Sequence, residues 1–347
     1  MNILITSAGR RGYIVEYFKK ALKGEGEVHV GNSSPFSTAF AYADRTVVTP
    51  LIYSEEYVPF LISYCKKYKI SLLIPLFDID LMILSQNKKK FEREGIHVIV
   101  SDSEVIKKCN DKWETYLFCR KEQIDTPKTY IDLKKAKEDL KKGILVFPVM
   151  IKPRWGMGSL QIYSAENITE LEILYEKCKR DIENTYLKYE SAEDISNSVL
   201  IQEKIKGQEY GIDIINDLNG DFQRAIAKRK YGLRAGETDC AEIIKSDKID
   251  EFSENLARTM KHIANLDVDA FYLDEKIYLL EMNARFGGGY PFSHLAGIDL
   301  PGAIIKWVNG KKVTSELENV EYGKIMHKDI KFVDITSFVS GDKNDTV

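Results

Sequence analysis

Over the first hundred residues, short apolar runs alternate with stretches whose apolar positions recur every three or four residues. "NILITS", "EVHVGN", "RTVVTP", "ISLLIPL" and "IHVIVS" read as strands. "YIVEYFKKALK", "SEEYVPFLISYCKKYK" and "DLMILSQNKKKFEREG" have helical spacing, the second with Ser54 as its cap and the third ending at Gly95. This alternation predicts a parallel sheet with helices on both faces, a Rossmann-like domain over residues 1–105.

The pattern then changes to an α+β unit over residues 106–310. "SEVIKKCNDKWETYLFCRKEQI" predicts one helix halted before Pro127, and a charged helix fills residues 166–190. "LVFPVMIKP" reads as a strand pair or one bent strand, and "QIYS" as a strand. "SVLIQEKI" and "EYGIDIIND" are strands joined through "KGQ", and "DFQRAIAKRKY" is a further strand pair. "IDEFSENLARTMKHIANL" is a helix, and "VDAFYLDEKIYLLEMN" a β-hairpin turning near Asp274 to Lys276. In the tail, residues 311–347, "KDIKFVDITSFV" predicts one hairpin.

Composition narrows the class. The 347 residues exceed one ordinary core, and 44% hydrophobic with 30% charged residues is a globular balance. A net charge of −3 gives no basic field for nucleic acid or an anionic membrane. The five cysteines form no close pair or metal-like spacing, which predicts reduced thiols and a cytoplasmic protein. The stretch from Met1 to Ala8 is too short for a signal peptide. The longest apolar region, "SLLIPLFDIDLMIL", is broken by Pro75, Asp78 and Asp80.

Four segments carry candidate chemistry. "ITSAGRRGY" sits between a strand and a helix, but Ser7 stands where a dinucleotide fingerprint needs its first glycine. The second strand ends without an acid for a ribose, so NAD and FAD are not expected. An anion near Arg10 or Arg11 stays open. In "MIKPRWGMGSLQIY", Lys152 borders a turn whose N–H groups, on Gly156, Met157, Gly158 and Ser159, suit a polyphosphate. In "LIQEKIKGQEYG", backbone from Glu203 through Lys204 to Ile205 suits a base edge, and Glu209 a ribose hydroxyl; a plain charged hairpin is the alternative. In "LLEMNARFGGGYP", Glu281 and Asn283 share one face of a strand, and a turn at Asp274–Lys276 sets Asp269 opposite Glu281. Two facing carboxylates and an amide are hard ligands suited to Mg²⁺, with Arg285 continuing the face toward phosphate. Lys228, Arg229 and Arg234 in "KRKYGLRAGETD" are cations for anionic substrate groups, or plain surface charges. In the glycine turn, Gly287 and Gly288 leave backbone N–H groups open to close approach.

Taken in order, Lys112 in "NDKWET", Lys152 in "MIKPRWGMGS", "IQEKIKGQEYG" and "LLEMNARFGGGYPFSHLAG" resemble the motifs of the ATP-grasp superfamily over residues 110–300. The likeness is to its carbamoyl-phosphate-synthase-like branch, which includes amino-acid ligases. The resemblance implies a pre-ATP-grasp domain followed by a two-lobed ATP-grasp fold with a mobile lid over residues 144–203. It implies that Lys112 and Lys152 contact ATP phosphates and that the loop from Gly156 to Ser159 closes over them. It places Glu203 and Ile205 at adenine, Glu209 at the ribose, and Asp269, Glu281 and Asn283 on one or two Mg²⁺ ions, with Mn²⁺ a substitute. Arg285 would stabilise the transferring phosphoryl group. Two departures stand out: Ala284 precedes the arginine where the family often has proline, and Asp269 replaces a usual Gln or Glu.

The implied reaction is ADP-forming ligation of a small carboxylate to an amine through an acyl phosphate, with a homodimer as one assembly. Carbamoyl-phosphate-like carboxyphosphate chemistry, a small-molecule kinase and a non-catalytic ATP-binding subunit are the alternatives.

Overall fold

The computed structural model describes residues 1–156, 158, 160–341 and the backbone of 344–345. The first hundred residues form a parallel sheet. Its strands are β1 (Asn2–Thr6), β2 (Val28–Asn32), β3 (Arg45–Val48), β4 (Ile70–Pro75) and β5 (His97–Val98). Helices α1 (Gly12–Leu22), α2 (Tyr57–Lys67) and α3 (Asp78–Arg93) connect them. Strands β1 and β4 are buried almost throughout, as expected for strands covered on both faces. Ser54 precedes α2 and accepts from Glu56 N–H at 3.2 Å, one turn ahead of the helix rather than at its cap.

The predicted single helix after residue 103 is two, α4 (Ser103–Asn110) and α5 (Lys112–Lys121). Asp111 breaks them. Its backbone is extended, and its carboxylate caps α5 by accepting from Trp113 N–H at 2.9 Å. This break sets Lys112 at the first helical position of α5.

Strands β6 (Thr129–Tyr130), β7 (Val149–Pro153), β8 (Tyr163–Ala165) and β9 (Val199–Glu203) form a four-stranded sheet in the order β6-β9-β7-β8. Helices α6 (Leu133–Lys141) and α7 (Ile168–Glu183) pack on it around a separate core of Ala136, Leu145, Ile151, Leu171 and Ile182. The unit thus starts at Thr129, upstream of residue 144, and the charged stretch 166–190 is α7 followed by the short α8 (Leu187–Glu190).

The third sheet is antiparallel: β10 (Gln208–Asn216), β11 (Phe222–Arg234), β12 (Glu237–Ile244), β13 (Ala264–Leu273), β14 (Lys276–Asn283) and β15 (Ile325–His327). Its order is β14-β13-β10-β11-β12-β15, with α9 (Asp247–Met260) between β12 and β13. The expected strand pair in "DFQRAIAKRKY" is one long strand, β11, because its partner β12 lies beyond the turn at Ala235 and Gly236. The expected tail hairpin is not formed by the described residues. Instead β15 pairs with β12, and β16 (Asn344–Asp345) runs parallel to β3 in the first sheet. One apolar cluster runs from Leu4, Tyr64 and Phe91 to Ile212, Val268 and Met282, so the parallel and antiparallel sheets share a core.

Candidate active site

The β13–β14 hairpin sets the site. Asp269 pairs with Glu281 and Asp267 with Asn283 across the two strands. The turn is Asp274–Glu275 alone, both left-handed, so Leu273 faces Lys276. With a two-residue turn, unbroken pairing would put Leu280 opposite Asp269. The ladder shifts between Asp269 and Ala270, leaving Leu280 as the extra residue of a bulge, and that slip brings Glu281 into place. The predicted pairing is therefore present, produced by a shorter turn and a bulge.

Two lysines meet this hairpin from other elements. Lys112 Nζ lies 3.9 Å from Glu281 Oε2 and donates to Gly156 O. Arg154 holds both of Asp111's carboxylate oxygens, at 2.8 and 2.7 Å, and its carbonyl accepts from Lys112 N–H at 3.1 Å. The α4–α5 break is thereby pinned to the end of β7. Lys152 is buried and donates to Gln202 Oε1 at 2.7 Å. Burial, with the charge of Lys112 beside it, lowers the Lys152 pKa to about 8. Lys112, Lys152, Gly156, Gly158, Asp269 and Glu281 line one hollow. Met157 and Ser159 lie outside the described residues.

Asp269 accepts from Lys230 Nζ at 2.6 Å, and the same ammonium reaches Glu209 at 2.7 Å. Burial opposes the charge on Lys230, yet these two carboxylates hold its pKa above the ordinary lysine range. Arg285 is buried between Asp78 (2.8 Å) and Asp267 (3.2 Å). Asp267 is pushed up to about 6 by burial and by Asp269, with Arg285 pulling the other way. The glycines explain how these acids fit. A Cβ on Gly287 would stand 2.1 to 2.3 Å from the Asp267 carboxyl group, and one on Gly288 within 2.8 Å of that of Glu237. Close approach is real here, but side-chain carboxylates of the protein make it.

The remaining predicted residues divide. Glu203 ends β9; its N–H is donated to Lys128 O at 2.8 Å, which leaves the half-buried Ile205 and exposed Lys204 further along the linker. Lys228, expected on the substrate side, is fully buried in an ion pair with Asp213. Arg229 alternates to the opposite strand face, where it meets Glu242 at 3.4 Å and Tyr210 Oη at 3.3 Å. Arg234 pairs with Asp239 at 2.9 Å near the hairpin tip. Residues that pattern reading missed are Asp78, Asp111, Arg154, Lys230, Glu237 and Asp267. Asp78 left a signal, as an acid interrupting an otherwise apolar run.

Hard oxygen ligands on one hairpin face fit Mg²⁺, which usually takes one or two carboxylates together with substrate phosphates. Among the described residues no three of His, Cys, Asp and Glu converge closely enough to hold an ion unaided. Beside Glu281 and Asn283, a small hollow is lined by Asp78, Asn110 and Glu190, each carrying a buried oxygen without a hydrogen-bond partner. That shortage of donors marks a place for a cation or bound water.

Residues 3–99 match the family model described as "PylC-like, N-terminal domain", and residues 196–328 the model "ATP-grasp in the biosynthetic pathway with Ter operon". The carbamoyl phosphate synthase large chain of Methanoregula boonei is 22% identical over 328 residues, 87% of this chain and 29% of that one. The chain thus spans under a third of the length of that relative. Among solved structures, a biotin carboxylase–β-γ-ATP complex from Campylobacter jejuni aligns with a TM-score of 0.72 at 17% identity, covering 92% of this chain and 73% of its own. An L-amino acid ligase from Bacillus licheniformis aligns with a TM-score of 0.70 at 16% identity, covering 93% and 78%. The fold is the ATP-grasp fold, residues 196–328 match an ATP-grasp family model, and the chain is similar to carbamoyl phosphate synthase large chains. No helix among the described residues is long and apolar enough to cross a membrane.

Proposed function

We propose that the protein is an ATP- and Mg²⁺-dependent ligase that joins a small carboxylate to an amine through an acyl phosphate, releasing ADP and phosphate. The observation that carries this reading is the convergence of Lys112, Lys152, Asp269, Glu281 and Gly156 on one hollow from separate elements. Asp269, Glu281 and Asn283 would hold Mg²⁺, which neutralises triphosphate charge when bound. Lys112 and Lys152 bind phosphate oxygens, and the segment from Thr129 to Glu203 acts as a lid that excludes water from them. The linker at Glu203–Ile205 receives the adenine edge through the Glu203 carbonyl and the amides beyond it, and Glu209 the ribose.

Arg285 orients the transferring phosphoryl group. Its fixed position between Asp78 and Asp267 means that little reorganisation accompanies the reaction. The substrate carboxylate oxygen attacks the γ-phosphorus as the bond to ADP breaks. The amine nitrogen then attacks the acyl carbon, phosphate leaves, and the amine loses a proton. The chain itself supplies no nucleophile.

ADP release from Mg·ATP in mixtures of carboxylates and amines tests this. Turnover is expected to require both substrates. A stable phosphorylated product formed without an amine would instead show a kinase. Glu281→Gln and Asn283→Ala are expected to reduce ADP release by at least about a hundredfold, with far-UV circular dichroism and melting unchanged. Wild-type turnover in both variants would remove the metal assignment.

A further inference from the structure

Three elements close on the small hollow beside Glu281 and Asn283, whose volume of about 10 Å³ has room for one water-sized occupant. Asp78 enters from the start of α3, Asn110 from the end of α4 and Glu190 from the end of α8 in the lid. Asp78 Oδ1, Asn110 Oδ1 and Glu190 Oε2 are buried there, and none has a hydrogen-bond donor. Two of these side chains are fixed by their other atoms. Asp78, 4% exposed, accepts through Oδ2 from Arg285 Nη2 at 2.8 Å and Nε at 3.2 Å. Asn110 Nδ2 donates to Asp78 O at 2.9 Å, so turning its amide over would lose that bond.

The charges are also one short. Arg285 answers Asp78. Lys112, the one cation among the described residues lining the hollow, faces Glu281 at 3.9 Å and donates to Gly156 O. Among the described residues Glu190 makes no ion pair, and burial pushes its carboxyl up to about 7, with Lys112 lowering it and Asp78 raising it. A water has two protons for three acceptors and answers no charge. A monovalent cation answers the three oxygens and the missing charge together. Mg²⁺ would overshoot that charge, and it usually keeps several waters for which the hollow has no room.

The hollow lies at a joint. Tyr189, next to Glu190, meets Tyr53 of the first domain with ring centroids 5.0 Å apart. Leu187, at the other end of α8, lies against the phosphate loop, where a Cβ on Gly156 would stand 2.5 Å from its Cδ2. We propose that this hollow binds one dehydrated monovalent cation, Na⁺ or K⁺, on Asp78, Asn110 and Glu190, and that the ion fastens α8 of the lid to the first domain. The three ligands are separate from the residues given to Mg²⁺ and nucleotide, and the site does not depend on the ligase reading.

The test uses the whole chain without nucleotide, in KCl, NaCl or choline chloride at equal ionic strength. Hydrogen exchange across residues 186–194 is expected to slow at least about tenfold in the metal salts, saturably, with Tm raised by about 2 °C or more. Glu190→Gln supplies an amide donor in place of the charge, and it is expected to fold and to lose this dependence. Identical exchange and Tm in all three salts overturns the site, as does a dependence that persists in folded Glu190→Gln. Saturation by Mg²⁺ alone in choline chloride shows a divalent site and overturns the assignment. A response to pH that is equal in every salt shows a proton shared by Glu190 and Asp78, and it also overturns the ion. If Glu190→Gln does not fold, wild-type crystals grown with Tl⁺ decide. An anomalous peak in contact with Asp78 Oδ1 and Glu190 Oε2 supports the site, and no peak there overturns it.

Discussion

The turn around Gly9 and the turn at Gly287 to Gly289 are joined by one side chain, Arg11, which donates to Phe286 O. They use glycine for different reasons. Gly9 has a φ of +55°, and a Cβ there would meet nothing within 4 Å, so its need is conformational. Gly287 and Gly288 have no positive φ; a Cβ on either would collide with a carboxylate. The Gly9 turn has the pattern of a partial cofactor loop and serves as a joint between domains. The Gly287 turn has the pattern of an opening for substrate contacts to backbone, and it is filled by the carboxylates of Asp267, which holds Arg285, and of Glu237. A glycine-rich string therefore means that something comes close or that a backbone angle is special, and the string alone does not separate the two.

Substitution at the two turns separates these uses. Gly287→Ala is expected to have the larger effect, because its Cβ must displace the Asp267 carboxyl group that holds Arg285. A shift of about 1 Å in that pair should reduce kcat/KM for ATP roughly a hundredfold, measured by steady-state ADP release. Retention within threefold would erase the distinction.

Charge adds a second contrast. Burial lowers the Lys152 pKa to about 8, so its ammonium is present below that pH and lost above it. We expect log kcat/KM for ATP to fall above about pH 8, and Lys152→Arg to move that descent upward, read from a pH–rate profile. Stability should change in the opposite sense. Between about 8 and the ordinary lysine value of 10.5 the unfolded chain holds a proton that folded Lys152 has released, so its contribution to stability rises with pH in that window.

The smallest effect belongs to the Gly9 turn. Gly9→Ala places a side chain in the left-handed region but in open space. It should lower unfolding free energy by about 1 to 2 kcal/mol by denaturant titration, with kinetic constants within about twofold. A larger kinetic loss would show that the joint at Arg11 tolerates no backbone shift.

Much of the scaffold was legible because local rules act over short spans. Strand alternation put Glu281 and Asn283 on one face, and turn chemistry at Asp274 predicted the hairpin. Where reading failed, a local pattern had two solutions. "CNDKWE" continues a helix by spacing, but Asp111 captures the amide of Trp113 and the guanidinium of Arg154, which rewards a break. Lys228 and Arg229 are alike in sequence, yet one is sealed against Asp213 and the other faces Glu242.

The order of amino acids was enough for the alternating α/β start and the hairpin that pairs Asp269 with Glu281, since periodicity and spacing follow from backbone geometry. Which charges meet depended on tertiary folding. Asp78 reaches Arg285 across 207 positions, Arg154 reaches Asp111 across 43, and Arg11 faces Glu237 from another domain. Such pairs form where long-range folding brings buried charges together, and no local pattern in the chain records them.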